Sequence, residues 1–255
     1  MALIHKSCLI LLFTTFLSLC CARATIRFAV ITDTHITSTD SLSSLRLQQL
    51  VELINHTDSV DFVVITGDIT QNADSISFDA AKQTLDALIP PYHCIAGNHD
   101  IRNDSTLLFT HFFGDDRFSF SYKGINFIGF SAIPKSRSAE AIINEHTLLW
   151  LSQQLLNRNK TILFTHYPLQ QGDITNRNEL SELLSQQQLI LTVSGHYHRY
   201  MLLAFQDSPN IIHRAPQRTG DNTLGYTLYL IDKDTIQIYE HIYGEEPSLW
   251  MTLPL

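Results

Sequence analysis

The stretch IRFAVITDTH, residues 26–35, gives the first indication of the fold. Its first six residues form a short apolar run that is typical of a buried β-strand. Two side chains that can bind metals or protons, Asp33 and His35, follow directly. The same arrangement recurs after four further apolar runs, which end in Gly67-Asp68, Gly97-Asn98-His99-Asp100, His166-Tyr167-Pro168 and Gly195-His196-Tyr197-His198. Because ligands bind at the carboxyl ends of strands in an open α/β sheet, we expect these polar side chains to meet at one edge.

Segments with helical periodicity separate these strands. Helices are predicted at residues 44–54, 77–88, 105–113, 146–156 and 178–187, and the intervening apolar runs predict strands at 61–66, 92–96, 161–165 and 189–193. Within the helix predicted for residues 146–156 we expect Leu149, Trp150 and Leu156 to face the core. Alternation of strands and helices predicts an α/β architecture for this part of the chain.

The other segments are rich in short strands. A hairpin is predicted at residues 118–122 and 125–130, and further strands at 201–205, 211–214, 226–231 and 235–239. Alternating strands and helices followed by a run of strands favour two packed sheets with helices outside them. No internal repeat or low-complexity linker interrupts this pattern, so we predict a single domain over residues 25–255.

The composition limits the class of protein. The chain has 255 residues, of which 44% are hydrophobic and 16% are charged, as in ordinary globular domains and unlike disordered chains. Its formal net charge is −8. An acidic surface repels the phosphate backbone, so we do not expect nucleic acid to be the main partner.

The first 24 residues have the features of a secretory signal peptide. Lys6 is followed by an apolar run over residues 8–19 and then by Ala22-Arg23-Ala24, an A-x-A cleavage pattern. We therefore predict that residues 1–24 are a signal peptide and that the protein is exported to the periplasm or secreted. The apolar run is too short to span a bilayer comfortably, so no stable membrane span is expected after cleavage; an uncleaved anchor is the alternative.

The polar side chains at the strand ends form a ligand set for hard or borderline divalent metals. Two carboxylates, one amide oxygen and four imidazoles are available without a thiolate, which disfavours a structural zinc site. If Asp68 bridges two ions, the first is held by Asp33, His35, Asp68 and His198, and the second by Asp68, Asn98, His166 and His196. We expect two divalent ions, for which manganese, iron and zinc are all compatible. The glycines before Asp68 and Asn98 are expected to let the backbone turn sharply there.

The order of these motifs resembles a known family. D-x-H, G-D, G-N-H-D, H and G-H-x-H, from Asp33 to His198, are similar to the pattern of the calcineurin-like metallophosphoesterases. The resemblance implies a four-layer αββα sandwich with two mixed β-sheets, with the metals at the strand carboxyl ends and with the same ligand assignment. We then expect hydrolysis of a phosphoric ester by a hydroxide that bridges the two metals.

Details of the motifs favour one branch of that family. The spacing and the G-N-H-D resemble the small cyclic-nucleotide phosphodiesterase-like branch, which accepts phosphodiesters and often phosphomonoesters. Purple acid phosphatases need a tyrosine ligand where this chain has Gln71, and the Ser/Thr protein phosphatases carry G-D-x-V-D-R-G and G-N-H-E, which differ from the runs present here. A small-molecule phosphoester is therefore the expected substrate. The sequence identifies neither the physiological substrate nor the oligomeric state.

His99 lies beside Asn98 but outside the ligand set. We expect it to contact the phosphoryl group and to protonate the leaving alkoxide, because imidazole titrates near neutral pH. Asp100 is expected to hold the His99 ring and to keep it cationic.

Other interpretations of the same residues stay open at this point. Taken singly, Asp33 and Asp68 could be turn residues, and His166 could be a core histidine. The domain could also be a non-catalytic metal-binding interaction module, or an exonuclease of the same superfamily. The complete ligand set disfavours the interaction module, and the acidic net charge disfavours the exonuclease.

Overall fold

The computed structural model describes residues 25–101, 106–135, 140–216 and 223–255. The predicted signal peptide, residues 1–24, lies outside the described residues. It stays a prediction, which N-terminal sequencing of the isolated protein can check.

The described elements follow the predicted order, with alternating strands and helices first and mainly strands afterwards. The strands are β1 (Ile26–Ile31), β2 (Phe62–Ile65), β3 (Tyr92–Cys94), β4 (Arg117–Tyr122), β5 (Ile125–Phe130), β6 (Ile133–Pro134), β7 (Ala141–Ile142), β8 (Lys160–Phe164), β9 (Gln188–Ser194), β10 (Met201–Phe205), β11 (Ser208–Ile212), β12 (Gly225–Ile231), β13 (Thr235–Ile242) and β14 (Ser248–Pro254). The helices are α1 (Ser41–Asn55), α2 (Ser75–Leu85), α3 (Leu107–Phe113), α4 (Glu145–Gln154) and α5 (Arg177–Leu184). Within the described ranges, no helix combines the length and apolar character that a membrane span requires.

Two six-stranded mixed sheets form the centre of the molecule. The first sheet has the order β14-β13-β12-β1-β2-β3, and the second has the order β10-β11-β9-β8-β5-β4. In the first sheet β1, β2 and β3 are parallel, whereas β12 runs antiparallel to β1. In the second sheet β5, β8, β9 and β11 are parallel, and β4 and β5 form the predicted hairpin. The carboxyl ends of the parallel strands therefore share one edge in each sheet.

Three apolar layers define a four-layer αββα sandwich, which confirms the predicted fold class. The layer between the two sheets contains Phe28. A second layer packs α1 and α2 against the outer face of the first sheet, through Leu50 and Phe78. A third layer packs α4 and α5 against the outer face of the second sheet, through Leu151 and Leu180.

Residues 28–31 of strand β1 show why an apolar run can be continuous. Phe28 and Val30 belong to the layer between the sheets, whereas Ala29 and Ile31 face the helices of the outer layer. Successive side chains of a strand point to opposite faces, so a strand that is covered on both faces is apolar at every position.

The inward face of α4 differs from the prediction. Leu149 and Leu156, which were expected to face the core, are 59% and 80% exposed, whereas the half-buried Trp150 packs against the third layer as predicted. Thr147 and Leu151 are the buried residues of this helix. Because apolar residues are consecutive in this segment, the sequence did not decide which of them face the core. Packing against the second sheet buries Thr147 and Leu151, which are four positions apart.

Three strands were not predicted. Strand β14 forms an edge of the first sheet, and β6 and β7 form a separate two-stranded sheet. The sequence of β14, SLWMTLP, lacks a clear alternation of apolar and polar residues. Its position depends on antiparallel pairing with β13, which includes an irregularity between Ile238 and Tyr239.

We expect Phe28→Ala to destabilise the fold strongly. Phe28 is fully buried and stacks on Phe62 and Tyr229, with ring centroids 5.3 Å and 4.6 Å away. Its truncation leaves a cavity between the sheets, and such truncations cost about 3–5 kcal/mol. Chemical denaturation should show this loss, whereas Leu149→Ala on the exposed face of α4 should change the unfolding free energy by less than about 1 kcal/mol. Equal effects of the two substitutions would contradict the assigned core.

Candidate metal centre

The five predicted segments meet at one end of the sandwich. Three follow β1, β2 and β3 of the first sheet, and two follow β8 and β9 of the second sheet. Asp33 N donates to Gly67 O within the first set, and Gly195 N donates to His166 O within the second, both at 3.0 Å. His196 N donates to Asp33 Oδ2 at 3.1 Å and so joins the two sets. The centre therefore lies between the carboxyl-terminal edges of the two sheets.

Five of the seven predicted ligands have a left-handed backbone. The φ angles are 54° at Asp33, 47° at His35, 50° at Asp68, 69° at His196 and 55° at His198. Residues other than glycine reach this region at a cost of roughly 1–2 kcal/mol each. Backbone strain of this kind persists only where the surrounding structure over-determines it, and it concentrates at functional sites. These turns are therefore specified by the packing of the loops around the centre.

Glycines allow the loops to approach one another closely. A Cβ atom on Gly97 would lie 2.2 Å from Asp68 Oδ1, and one on Gly195 would lie 2.5 Å from Asp33 Oδ2. Any side chain at either position would displace a carboxylate that is predicted to bind metal. Gly67 has a φ of +94° and makes the expected sharp turn. Gly97 is required for close approach rather than for the turn that the sequence suggested.

The first group of predicted ligands converges on one point. Asp33, His35, Asp68 and His198 each place one ligand atom within 4.8 Å of the others. His198 Nε2 lies 3.1 Å from Asp33 Oδ1, and His35 Nε2 lies 3.7 Å from Asp68 Oδ2. The Nε2 atoms of His35 and His198 are 3.2 Å apart. This spacing lets all four side chains contact a single ion.

The second group lies next to the first and shares Asp68 with it. Asp68, His166 and His196 also place one ligand atom each within 4.8 Å of the others. His166 Nε2 lies 3.3 Å from Asp68 Oδ2 and 3.1 Å from Asn98 Oδ1. Because Asp68 Oδ2 faces His35 as well as His166, it occupies the position expected of a bridging carboxylate.

The donor atoms suit two cations. Asp33 Oδ1 is buried, and among the described residues its polar neighbours are the imidazole nitrogens of His198 and His35, at 3.1 and 3.9 Å. A buried carboxylate charge without a backbone donor to this oxygen is poorly compensated, and a cation in contact with it would balance that charge. The converging Nε2 atoms of His35 and His198 could likewise bind one ion together. The oxygen and imidazole ligands fit manganese, iron or zinc.

Hydrogen bonds orient the central ligands. His166 Nδ1 contacts Thr66 O at 2.8 Å, which assigns the proton to Nδ1 and leaves Nε2 to face Asp68. Asp68 Oδ1 accepts from His99 N at 2.8 Å. The backbone of the loop after β3 thus fixes one oxygen of Asp68 while the other faces both ligand groups.

His99 lies beside the first group. Its ring stands edge-on to the ring of His35, with centroids 4.7 Å apart. His99 Nδ1 contacts Gln71 O at 2.8 Å, so Nδ1 carries a proton and Nε2 is the nitrogen that remains for a substrate. A backbone carbonyl, and not a carboxylate, therefore orients this ring.

Asp100 does not hold the His99 ring, in contrast to the prediction. Its side chain is buried, and its carboxylate accepts hydrogen bonds from Ile69 N, Thr70 N and Gly97 N at 3.0, 2.7 and 3.0 Å. Because these donors belong to the turns after β2 and β3, Asp100 joins the two loops that carry Asp68 and Asn98.

Burial and neighbouring charges shift the pKa values of side chains in this centre. Burial alone would raise the pKa of Asp68, but the adjacent His166 outweighs burial and holds the pKa of Asp68 well below its usual range. Burial would lower the pKa of His166, but the charge of Asp68 raises this pKa to about 9. Burial lowers the pKa of His196 to about 4. A cation bound between Asp68 and His166 must therefore displace a proton.

One supporting contact was not found from the sequence. Tyr197, which lies between two predicted ligands, donates to both oxygens of Asp173 at 2.9 and 2.7 Å. This contact attaches the turn of His196 and His198 to the loop after β8. Asp173 belongs to no motif, and its partner is 24 positions away, so no local pattern indicates the pairing.

Comparison with known proteins agrees with this geometry. Residues 26–200 match the family described as calcineurin-like phosphoesterase. The match covers more than half of the chain, and the chain belongs to this family of metal-dependent phosphoric ester hydrolases.

Two relatives match parts of the sequence. A probable glycerophosphodiester phosphodiesterase, GpdQ, of Arcobacter nitrofigilis is 30% identical over 193 residues, which are 66% of this chain and 70% of that protein. The uncharacterized protein YvnB of Bacillus subtilis is 28% identical over 169 residues, which are 56% of this chain and 13% of that protein.

Solved structures share the fold at low sequence identity. A dimetal phosphatase from Danio rerio has a TM-score of 0.72 and 15% identity, over 90% of this chain and 98% of that chain. Purple acid phosphatase PPD1 from yellow lupin seeds has a TM-score of 0.67 and 13% identity, over 91% of this chain and 53% of that chain. These similarities establish the sandwich architecture.

Substitution of Asp68 should weaken the binding of both metal ions, whereas substitution of His198 should weaken the binding of one ion. Asp68 belongs to both ligand groups, whereas His198 belongs to the first. In calorimetric titration with Mn²⁺ we expect two sites in the wild type. Asp68→Asn should lower the affinity of both sites for Mn²⁺ by about tenfold or more. His198→Ala should lower the affinity of only one site by this factor. His241→Ala, outside both groups, is the control. A loss of one site in both ligand variants would contradict the shared position of Asp68.

The metal-free protein should lose stability as the pH rises above neutrality. The folded-state pKa of His166, about 9, lies above the unfolded value of 6.5. A raised histidine pKa stabilises the fold fully below the unfolded value, and this stabilisation is lost as the pH rises through the folded value. Denaturation with a chelator present should show a fall of about 1–3 kcal/mol between pH 6.5 and 9. His166→Asn should flatten this profile; a flat wild-type profile would contradict the Asp68–His166 pair.

Proposed function

We propose that the protein is a dinuclear metal-dependent hydrolase of small phosphodiesters, with phosphomonoesters as further substrates. The observation that carries the proposal is the position of Asp68 Oδ2, which faces His35 in one ligand group and His166 in the other. Two divalent ions bound there would polarise phosphate oxygens and would lower the pKa of a bound water. The proposed ligands are Asp33, His35, Asp68 and His198 for one ion, and Asp68, Asn98, His166 and His196 for the other.

The charge of the centre supports an anionic substrate. Asp33 and Asp68 contribute two negative charges, which two divalent cations more than balance. The centre is then locally positive, although the whole chain has a net charge of −8. A positive cavity within an acidic surface attracts phosphate to the centre and repels polyanions elsewhere.

We assign to His99 the protonation of the leaving alkoxide. With Nδ1 engaged by Gln71 O, a protonated Nε2 can donate to a phosphoryl oxygen and then to the leaving group. Asp100 has a positioning role in this scheme, because among the described residues its carboxylate accepts hydrogen bonds from Ile69, Thr70 and Gly97, in the loops that hold Asp68 and Asn98.

The relative from Arcobacter nitrofigilis supports a diester of a small alcohol, since its name describes a probable glycerophosphodiester phosphodiesterase. Alkoxides are poor leaving groups and need a proton, which agrees with a histidine next to the centre. A non-catalytic module would need the ligand groups but not His99. The presence of His99 beside complete ligand groups therefore favours the hydrolase.

Hydrolysis of two esters with different leaving groups tests this function. With Mn²⁺ the protein should hydrolyse bis(4-nitrophenyl) phosphate and glyceryl methyl phosphate, and a chelator should abolish both activities. His99→Ala should lower kcat for glyceryl methyl phosphate by roughly 10²–10⁴-fold, the usual contribution of a general acid. The 4-nitrophenyl ester should be affected much less, because 4-nitrophenolate leaves without a proton.

The metal content of His99→Ala should stay at two ions per chain, and His56→Ala, on the exposed C-terminal end of α1, should behave as the wild type. Absence of turnover of both esters by the metal-loaded wild type would contradict the hydrolase. An equal loss of kcat for the two esters in His99→Ala would contradict the proton-donor role of His99. It would leave the assignment as a hydrolase intact.

A further inference from the structure

A recess of about 310 Å³ opens beside the first ligand group. Asp33 and His35 line one part of it, and residues of helix α1 line another. The recess is therefore continuous with the metal centre. A substrate with its phosphate at the ligands can extend the rest of its structure into this space.

One row of α1 residues lines the recess. The residues of this row recur at intervals of three and four positions, so they lie on one side of the helix. They are Ser43, Arg46, Leu47 and Leu50. Leu47 and Leu50 are buried and pack in the layer against the first sheet, whereas Arg46 is half-buried. The buried leucines thus fix the backbone from which the Arg46 side chain extends.

The segment Ala215-Pro216 forms a further wall and is held by a buried arginine. Arg214 Nη1 donates to Ala215 O at 2.9 Å and to Pro216 O at 2.7 Å, while Arg214 Nε pairs with Glu240. Gly225 N also donates to Pro216 O, at 2.9 Å. This wall is fixed by the protein itself, so the recess is preformed for a ligand.

Among the described residues, no carboxylate pairs with the positive charge that Arg46 brings to this recess. Within the part of the chain that the structure describes, its guanidinium makes no ion pair or hydrogen bond. Asp33 is engaged in the first ligand group. Asp40, which also lines the recess, caps α1 by accepting from Leu42 N at 2.9 Å. An unpaired guanidinium in a preformed cavity of an acidic chain is suited to bind an anionic group.

We propose that Arg46 binds a second anionic group of the substrate in this recess. The substrate class is a phosphoester whose alcohol part carries a carboxylate or a further phosphate. The planar guanidinium offers paired N–H donors that fit either group. This inference rests on the proposed function, which places the reacting phosphate on the metal side of the recess.

Three synthetic diesters test the subsite: 4-nitrophenyl phosphates of 2-carboxyethanol, of 2-phosphoryloxyethanol and of the neutral amide 2-carbamoylethanol. We expect the wild type to have a higher kcat/KM for an anionic ester than for the amide. Arg46→Gln should reduce that ratio by about tenfold or more, mainly through KM, because a charge-assisted hydrogen bond is lost. The carboxylate and phosphate esters show which anion the subsite prefers.

Two further variants separate a local effect from a general one. Arg158→Gln removes the same charge at an exposed position outside the recess and should keep the wild-type ratio. Asp40→Asn preserves a good N-cap and removes a negative charge from the recess, so it should raise the ratio. Circular dichroism should show all three variants folded.

An unchanged ratio in Arg46→Gln, or an equal fall in Arg158→Gln, would overturn the subsite. Failure of the metal-loaded wild type to hydrolyse any of the esters would overturn the proposed function instead. Calorimetry still tests the subsite in that case. 3-Phosphonopropionate should bind the manganese protein more tightly than its neutral amide does, and Arg46→Gln should remove the difference; equal binding in the wild type would count against the inference.

Discussion

Burial of two carboxylates where the sheets meet governs the rest of this structure. Asp33 and Asp68 are 2% and 1% exposed, and a buried negative charge is stable only when cations or hydrogen bonds compensate it. The backbone N–H groups of His99 and His196 and the nearby imidazoles provide part of that compensation. They can do so only if loops from both sheets converge. The left-handed turns and the glycine contacts follow from this requirement.

The strands that stabilise the sandwich also set the geometry of the candidate metal centre. Strand β1 lies between β12 and β2 in the first sheet, contributes Phe28 to the layer between the sheets and ends just before Asp33. The position of Asp33 is thus set by a strand that is packed on both faces. Asp100 fixes the loops of the centre in a similar way, because its carboxylate holds the turns after β2 and β3 together. Small displacements of the centre are resisted by the core as a whole.

Much of the fold and the grouping of the predicted ligands could be inferred from the sequence, because both depend on local patterns. Apolar runs followed by Asp, His or Asn indicated the strands and the edge at which they end. The inward face of α4 and strand β14 were not found, since long-range packing decides them. The contacts of Asp100 were also wrong in the prediction. Proximity in sequence suggested His99 as its partner, whereas backbone donors around Ile69 compete better for a buried carboxylate.

The wide spacing of the ligands along the chain has a consequence for folding. Asp33 and the backbone of His196 are joined across 163 positions, and parallel strand pairing is required before they can meet. Contacts between such distant segments form late, because the entropy of closing long loops opposes them. During synthesis, the first three predicted ligands emerge long before His198, which completes their group. Metal uptake then belongs to the end of folding, where it stabilises a finished native state instead of nucleating it.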